Sequence, residues 1–119
     1  MNNRNIDVLE RIIRYCNEID EARKHFGDLF SILKSNTIYK NAVSMCILQI
    51  GELTSLLTEE FKLKYNKMPW QDIKAMRNIA VHRYGDFDII KLWETISEDV
   101  PLLRNYCINV VDELYQLNK

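Results

Sequence analysis

Glycine and proline are scarce in this chain, three and two among 119 residues. A sheet-rich fold needs many more turns than that, and apolar residues recur instead at three- and four-residue spacing almost throughout, which predicts helices. Long hydrophobic runs are absent as well. No stretch of about eighteen consecutive apolar residues could span a bilayer. The opening "MNNRNIDVLERIIRYCNEID" has neither the continuous apolar segment nor the small-residue cleavage site of a secretory signal. A cytoplasmic protein with no membrane partner is expected. Cysteines are few and odd in number: Cys16, Cys46 and Cys107 lie far apart among apolar neighbours. That arrangement suits neither a disulfide framework nor a metal site and predicts buried free thiols. Repeats, low-complexity tracts and linkers are also missing, so residues 1–119 are expected to form a single all-α domain, a helical bundle.

An excess of either charge is lacking too, the net charge being −1. Its distribution is uneven. Residues 1–60 hold seven Lys/Arg against nine Asp/Glu, and residues 85–119 hold three against seven. Residues 61–84 hold six, Lys62, Lys64, Lys67, Lys74, Arg77 and Arg83, against Asp72 alone. A phosphate-bearing ligand responds to that local field more than to the global charge.

The apolar pattern predicts a first helix over about residues 6–25, with Ile6, Leu9, Ile12, Ile13, Cys16 and Ile19 inward. Gly27 and Asp28 mark a break, "LFSILK" a short helical turn, and "SNT" at 35–37 a cap. A second long helix is expected over about 37–64, its main stripe widened by Met45, Leu48 and Leu56 as if packed on two sides. Gly51 in its middle lowers helix propensity by roughly 1 kcal/mol relative to alanine, which implies a close helix crossing or a functional approach. Glu52 in the same turn is either a solvated rim carboxylate or the internal partner of a nearby arginine. Pro69 suits the first position of a third helix. That helix continues through Trp70, Ile73, Met76 or Arg77, Ala80 and Val81 to Gly85. Asp86 or Asp88 caps a fourth helix from about 89, and Pro101 makes the last region either one kinked helix or two.

The stretch "MRNIAVHRYG", 76–85, places an unusual set of polar groups on the third helix. At about 100° per residue, Arg77, Asn78, Val81 and Tyr84 share a face, while Arg77 and His82 stand roughly 140° apart. Either the helix ends before His82, or two chains meet across a two-fold axis and bring two copies of each residue together. Cleaving RNA through its 2′-hydroxyl needs a base, an acid and a cation for the phosphorane, and His25, the only other histidine, is remote in sequence. If the set cleaves RNA, the stoichiometry therefore argues for a symmetric site shared by two chains; the alternative is a histidine that serves as a surface or capping group near the helix end.

"PWQDIKAMRNIAVHRYGDFDIIKLWETISEDVPLL", 69–103, resembles the signature region of the HepT-like proteins of the HEPN superfamily, and "LQIGELTSLL", 48–57, is similar to their central-helix segment with its Gly-Glu pair. The resemblance implies an all-α, up-and-down bundle of four or five helices that dimerises to set two motifs across a cleft. It implies a metal-independent endoribonuclease without cofactors, the toxin of a type VII-like toxin–antitoxin pair. The implied partner is a minimal nucleotidyltransferase antitoxin of the MntA type. Carried onto this sequence, Arg77 and His82 are catalytic, Asn78 is supporting, and Tyr84 is the site at which the antitoxin attaches AMP. A bulky, negative adenylate beside Arg77 would take the place of the RNA phosphate. Arg83 and Lys74 are candidate phosphate contacts. The competing reading is a non-catalytic helper subunit that binds nucleotides for a nucleotidyltransferase; the intact set Arg77, Asn78, His82 and Tyr84 favours the enzyme.

Overall fold

The computed structural model describes the backbone of residues 3–81 and 86–117 and the side chains of residues 4–79 and 89–117. Among the described residues there is no strand. The helices are α1 (Asn3–Phe26), α2 (Phe30–Ser35), α3 (Thr37–Thr54), α4 (Glu59–Lys64), α5 (Trp70–Ala75), α6 (Arg77–Val81), α7 (Asp86–Glu94) and α8 (Val100–Leu117), with a π-helical turn at Thr95–Asp99 between the last two. They form an all-α bundle, as the periodicity predicts. α1 packs along both α3 and α8, and α3 receives α5 and α6 on another flank. No described helix is long and apolar enough to cross a membrane.

The core is built from one stripe per long helix. Ile6, Leu9, Ile12, Cys16 and Ile19 of α1 meet Val43, Cys46, Ile47 and Ile50 of α3 and Leu103, Cys107 and Val110 of α8 in one buried cluster. Full burial of side chains such as Leu9, Ile12, Ile47 and Leu103 contributes about 1.5–3 kcal/mol each. All three cysteines are buried and free. Burial pushes the Cys16 thiol up to about 12, with Arg104 pulling the other way, and the Cys46 thiol up to about 11; Cys107 is driven up by the same desolvation. Ile13, assigned to the same stripe by its spacing, is only partly buried.

Local signals set the helix ends. Gly27 takes φ +125°, a value that favours glycine, and its amide bonds to the Arg23 carbonyl at 3.0 Å, which stops α1. Asn36 caps α3, its side chain accepting from the Tyr39 amide at 3.0 Å.

The expected helix over 37–64 is two helices. α3 stops at Thr54, and Thr58 starts α4 by accepting the Phe61 amide at 3.2 Å, with Glu59 and Glu60 in the first turn complementing its dipole. Asn5 of α1 fixes the break: its side-chain oxygen accepts the Thr58 amide and its Nδ2 donates to the Thr58 hydroxyl, both at 3.1 Å. α3 is packed on more than one side, by α1 on one flank and by α5 and α6 on another, but Met45 and Leu56 do not serve those contacts: they are 56% and 41% exposed.

The last region is one continuous helical path. Pro101 lies just inside α8, and the preceding turn widens so that the Val100 amide reaches back five residues to the Thr95 carbonyl. The next bond in that register would fall to Pro101, which has no N–H. The Ile96 carbonyl is satisfied instead by Arg23 Nη1 at 3.2 Å. α7 begins at Asp86, so Asp88 lies within the helix rather than at its cap.

Candidate functional site

The segment that carries Arg77 is a limb of short helices laid on the bundle. Its root is aromatic. Trp70 donates its indole N–H to the Tyr65 carbonyl at 2.9 Å, Tyr106 of α8 donates its hydroxyl to the same carbonyl at 3.2 Å, and the Trp70 ring lies edge-on to Tyr106 and tilted against Phe61. Pro69 stands one residue earlier than expected, at the N-cap: its carbonyl accepts from the Asp72 and Ile73 amides, and Trp70 is the first helical residue. Ile73 and Met76 are buried, so Lys74, Arg77 and Asn78 are left on the exposed side. The choice between Met76 and Arg77 for the buried stripe thus falls to Met76.

The spacing predicts one uninterrupted helix to Gly85; the chain instead breaks at Met76, between α5 and α6. There the bonds tighten to i→i+3, from the Met76 amide to the Ile73 carbonyl at 3.2 Å and from the Ile79 amide to the Met76 carbonyl at 3.0 Å. The tightened turn falls where the limb crosses α3 at Gly51. A Cβ on Gly51 would stand 2.9 Å from the Arg77 Cβ, 3.1 Å from the Lys74 carbonyl oxygen and 3.2 Å from the Arg77 amide nitrogen. Any larger residue holds the two backbones apart, so the mid-helix glycine marks a close crossing.

Glu52 follows Gly51, and its Oε1 lies 3.1 Å from Arg77 Nε. It is therefore the arginine's partner rather than a carboxylate alone in water. The two side chains are 49% and 47% exposed, which leaves the guanidinium open to an anion from solvent. Gly51 and Glu52 stand outside the catalytic set read from the sequence, and the mid-helix glycine was the signal that could have added them.

Lys74, Arg77 and Asn78 are placed on the limb; His82, Arg83 and Tyr84 lie outside the described residues. A cavity of about 640 Å³ runs between the limb and the α7–α8 path, lined by Ile73, Met76, Ile79, Lys91, Thr95 and Leu103 among others. Lys74, Arg77 and Asn78 do not line it. Among the described residues no group of three or more His, Cys, Asp or Glu side chains is arranged to hold a metal ion.

Comparison with known proteins bears on what this crossing is for. The family described as Ribonuclease HepT-like matches residues 7–110, from α1 into α8. A protein of Caldanaerobacter subterraneus named "Putative RNase" is 31% identical over 111 residues, 93% of this chain and 94% of its own. "Probable ribonuclease HepT" of Thermococcus cleftensis is 29% identical over 82% of this chain and 87% of its own. A "Putative RNase" of Methanocaldococcus jannaschii is 29% identical over 78% and 84%. No solved structure matches. The match takes in α3 with its Gly51–Glu52 pair and the whole limb with Arg77, and on that extent the chain belongs to the HepT-like ribonuclease family.

Proposed function

We propose that this protein is the toxin of a type VII-like toxin–antitoxin pair, an endoribonuclease that acts as a symmetric dimer and without a metal. Arg77 and His82 carry the chemistry. One His82 takes the proton of a ribose 2′-hydroxyl, and that oxygen attacks the adjacent phosphorus. The bond to the 5′-oxygen breaks, and the leaving oxygen receives a proton from the second His82. The products are a 2′,3′-cyclic phosphate and a 5′-hydroxyl. Arg77 neutralises the phosphorane, Asn78 supports it, and Lys74 and Arg83 meet flanking phosphates. AMP attached to the Tyr84 oxygen by a nucleotidyltransferase antitoxin brings negative charge and bulk to this place and stops the reaction.

The observation that carries the reading is the half-exposed Arg77 guanidinium, held on the outer face of the limb within the family match. The dimer draws support from α3. Ile38, Met45 and Glu52 are seven residues apart and share one face to within about 20° per step. Ile38 and Met45 are 69% and 56% exposed, an apolar face that leads to the Glu52–Arg77 pair. A second copy laid there would bring its own motif to the same place.

The test is cleavage of labelled RNA in EDTA by the wild type, Arg77→Ala and His82→Ala, with mass measured by light scattering. The wild type is expected to cleave as a dimer and leave cyclic-phosphate ends. Both variants should remain dimeric and inactive. Tyr84→Phe should cleave RNA yet take up no AMP from the antitoxin and ATP. Cleavage by His82→Ala removes the catalytic assignment, and intact RNA with tight nucleotide binding makes the chain a helper subunit instead.

A further inference from the structure

Glu52 stands beside a residue proposed to touch the scissile phosphate, and any part it plays in catalysis rests on that reading of Arg77. The ion pairs Arg23–Asp28, Lys24–Asp20 and Lys62–Glu59 each join residues no more than five positions apart. Glu52–Arg77 instead ties α3 to α6. With both partners half exposed, such a pair adds little to folding stability. Its value has to be sought elsewhere.

An unrestrained arginine spreads over many rotamers, whereas a phosphorane is stabilised by a cation that is already in place when charge develops. α3 supplies that restraint in two consecutive residues. Gly51 lets the Arg77 backbone lie directly against the helix, and Glu52 takes hold of Nε at 3.1 Å. The origin and the direction of the side chain are both fixed from α3, while 47% of it stays accessible. We propose that Glu52 is a positioning residue for Arg77, holding the guanidinium in the orientation that receives the RNA phosphate. The same carboxylate repels the incoming phosphate, so ground-state binding is weakened while the transition state is served.

The two kinetic constants should therefore move in ways that a merely structural role would not produce. Glu52→Gln removes the charge and keeps the shape. Its kcat for a labelled RNA oligomer should fall about tenfold as Arg77 loses its orientation. Its KM should fall about twofold as the repulsion disappears. The midpoint of thermal unfolding should stay within a few degrees of the wild type. Glu52→Asp, which retains the charge, should recover part of kcat.

A kcat for Glu52→Gln equal to or above that of the wild type overturns the proposal. An Arg77→Ala variant that cleaves like the wild type overturns instead the reading beneath it. The restraint can also be read without RNA, from the Arg77 Nε–H resonance in nitrogen-15 spectra. Displaced and slow to exchange in the wild type, it should move to the position of a free arginine in Glu52→Gln. An unchanged resonance refutes the positioning role whatever the activity.

Discussion

Replacing Gly51 by alanine sets two opposing effects against each other. In an isolated helix the change is favourable by about 1 kcal/mol, since alanine loses less backbone freedom on folding. Here the new methyl group would lie 2.9 Å from the Arg77 Cβ and 3.1 Å from the Lys74 carbonyl oxygen. Relaxed carbon–carbon contacts are about 3.5–4.0 Å, so α3 and α6 must separate by roughly 0.6–1 Å. The obstructing atoms belong to backbone and Cβ and cannot swing aside as the end of a flexible side chain does. Overpacking of this kind costs about 1–3 kcal/mol, so the balance is a net loss of about 0–2 kcal/mol. For a chain of 119 residues that lowers the thermal midpoint by up to about 8 °C. Gly51→Val adds bulk and β-branching without the full propensity gain, and should lose more. Urea titrations and thermal melts of both variants measure this, and RNA cleavage reports the displacement of Arg77. An alanine variant that melts about 4 °C higher and cleaves normally would refute the reasoning, because propensity would then be acting with no crossing to oppose it.

Four further outcomes can be checked by simple means. The thiols should not react with a disulfide reagent at pH 8 in the folded protein and should all react in denaturant, counted by absorbance. Because burial raises their folded pKa values, to about 12 for Cys16 and about 11 for Cys46, folding stability is intact below the ordinary thiol pKa of 9.0 and falls as pH rises above it. Each such thiol contributes up to about 1.4 kcal/mol per pH unit, and urea titrations from pH 8 to 11 under reductant should show the decline. Asn5→Ala strips the Thr58 amide of its partner and should destabilise by about 1–3 kcal/mol, read by chemical unfolding; a neutral result would mean that water replaces the side chain. Trp70→Phe leaves the Tyr65 carbonyl with Tyr106 as a donor, so its cost should come mainly from packing, at about 1–2 kcal/mol by the same measurement.

Much of the bundle is legible from the sequence because the signals are local. Gly27 ends α1 and Asn36 begins α3 through bonds made within four residues. The division between α3 and α4 is local in part. Thr58 followed by two glutamates is a helix start, but the apolar spacing runs on across it, and the side chain that pins it comes from Asn5. The π-helical turn leaves no trace in the apolar spacing: buried Ile89, Leu92, Ile96, Val100 and Leu103 advance by three, four, four and three, which keeps them within about an 80° arc of an ideal α-helix. For the candidate site, the sequence singles out Arg77 and leaves Glu52 with two readings. The pairing depends on a crossing between α3 and α6, where contact distances rather than spacing decide.

The limb raises a question of order in time. α4, α5 and α6 contain six, six and five residues, well below the length at which an isolated helix persists in water. Phe61, Trp70, Ile73 and Met76 must dock on the bundle before these turns hold their hydrogen bonds. Amide protons around Arg77 are accordingly expected to exchange by small local openings, far sooner than those of α1, α3 and α8. During synthesis the core stripe of α8 is the last to become available. A chain released early thus has Arg77 and its α3 partner Glu52 but lacks Tyr106, against which Trp70 packs at the root of the limb, so the limb is firmly docked only when folding is complete.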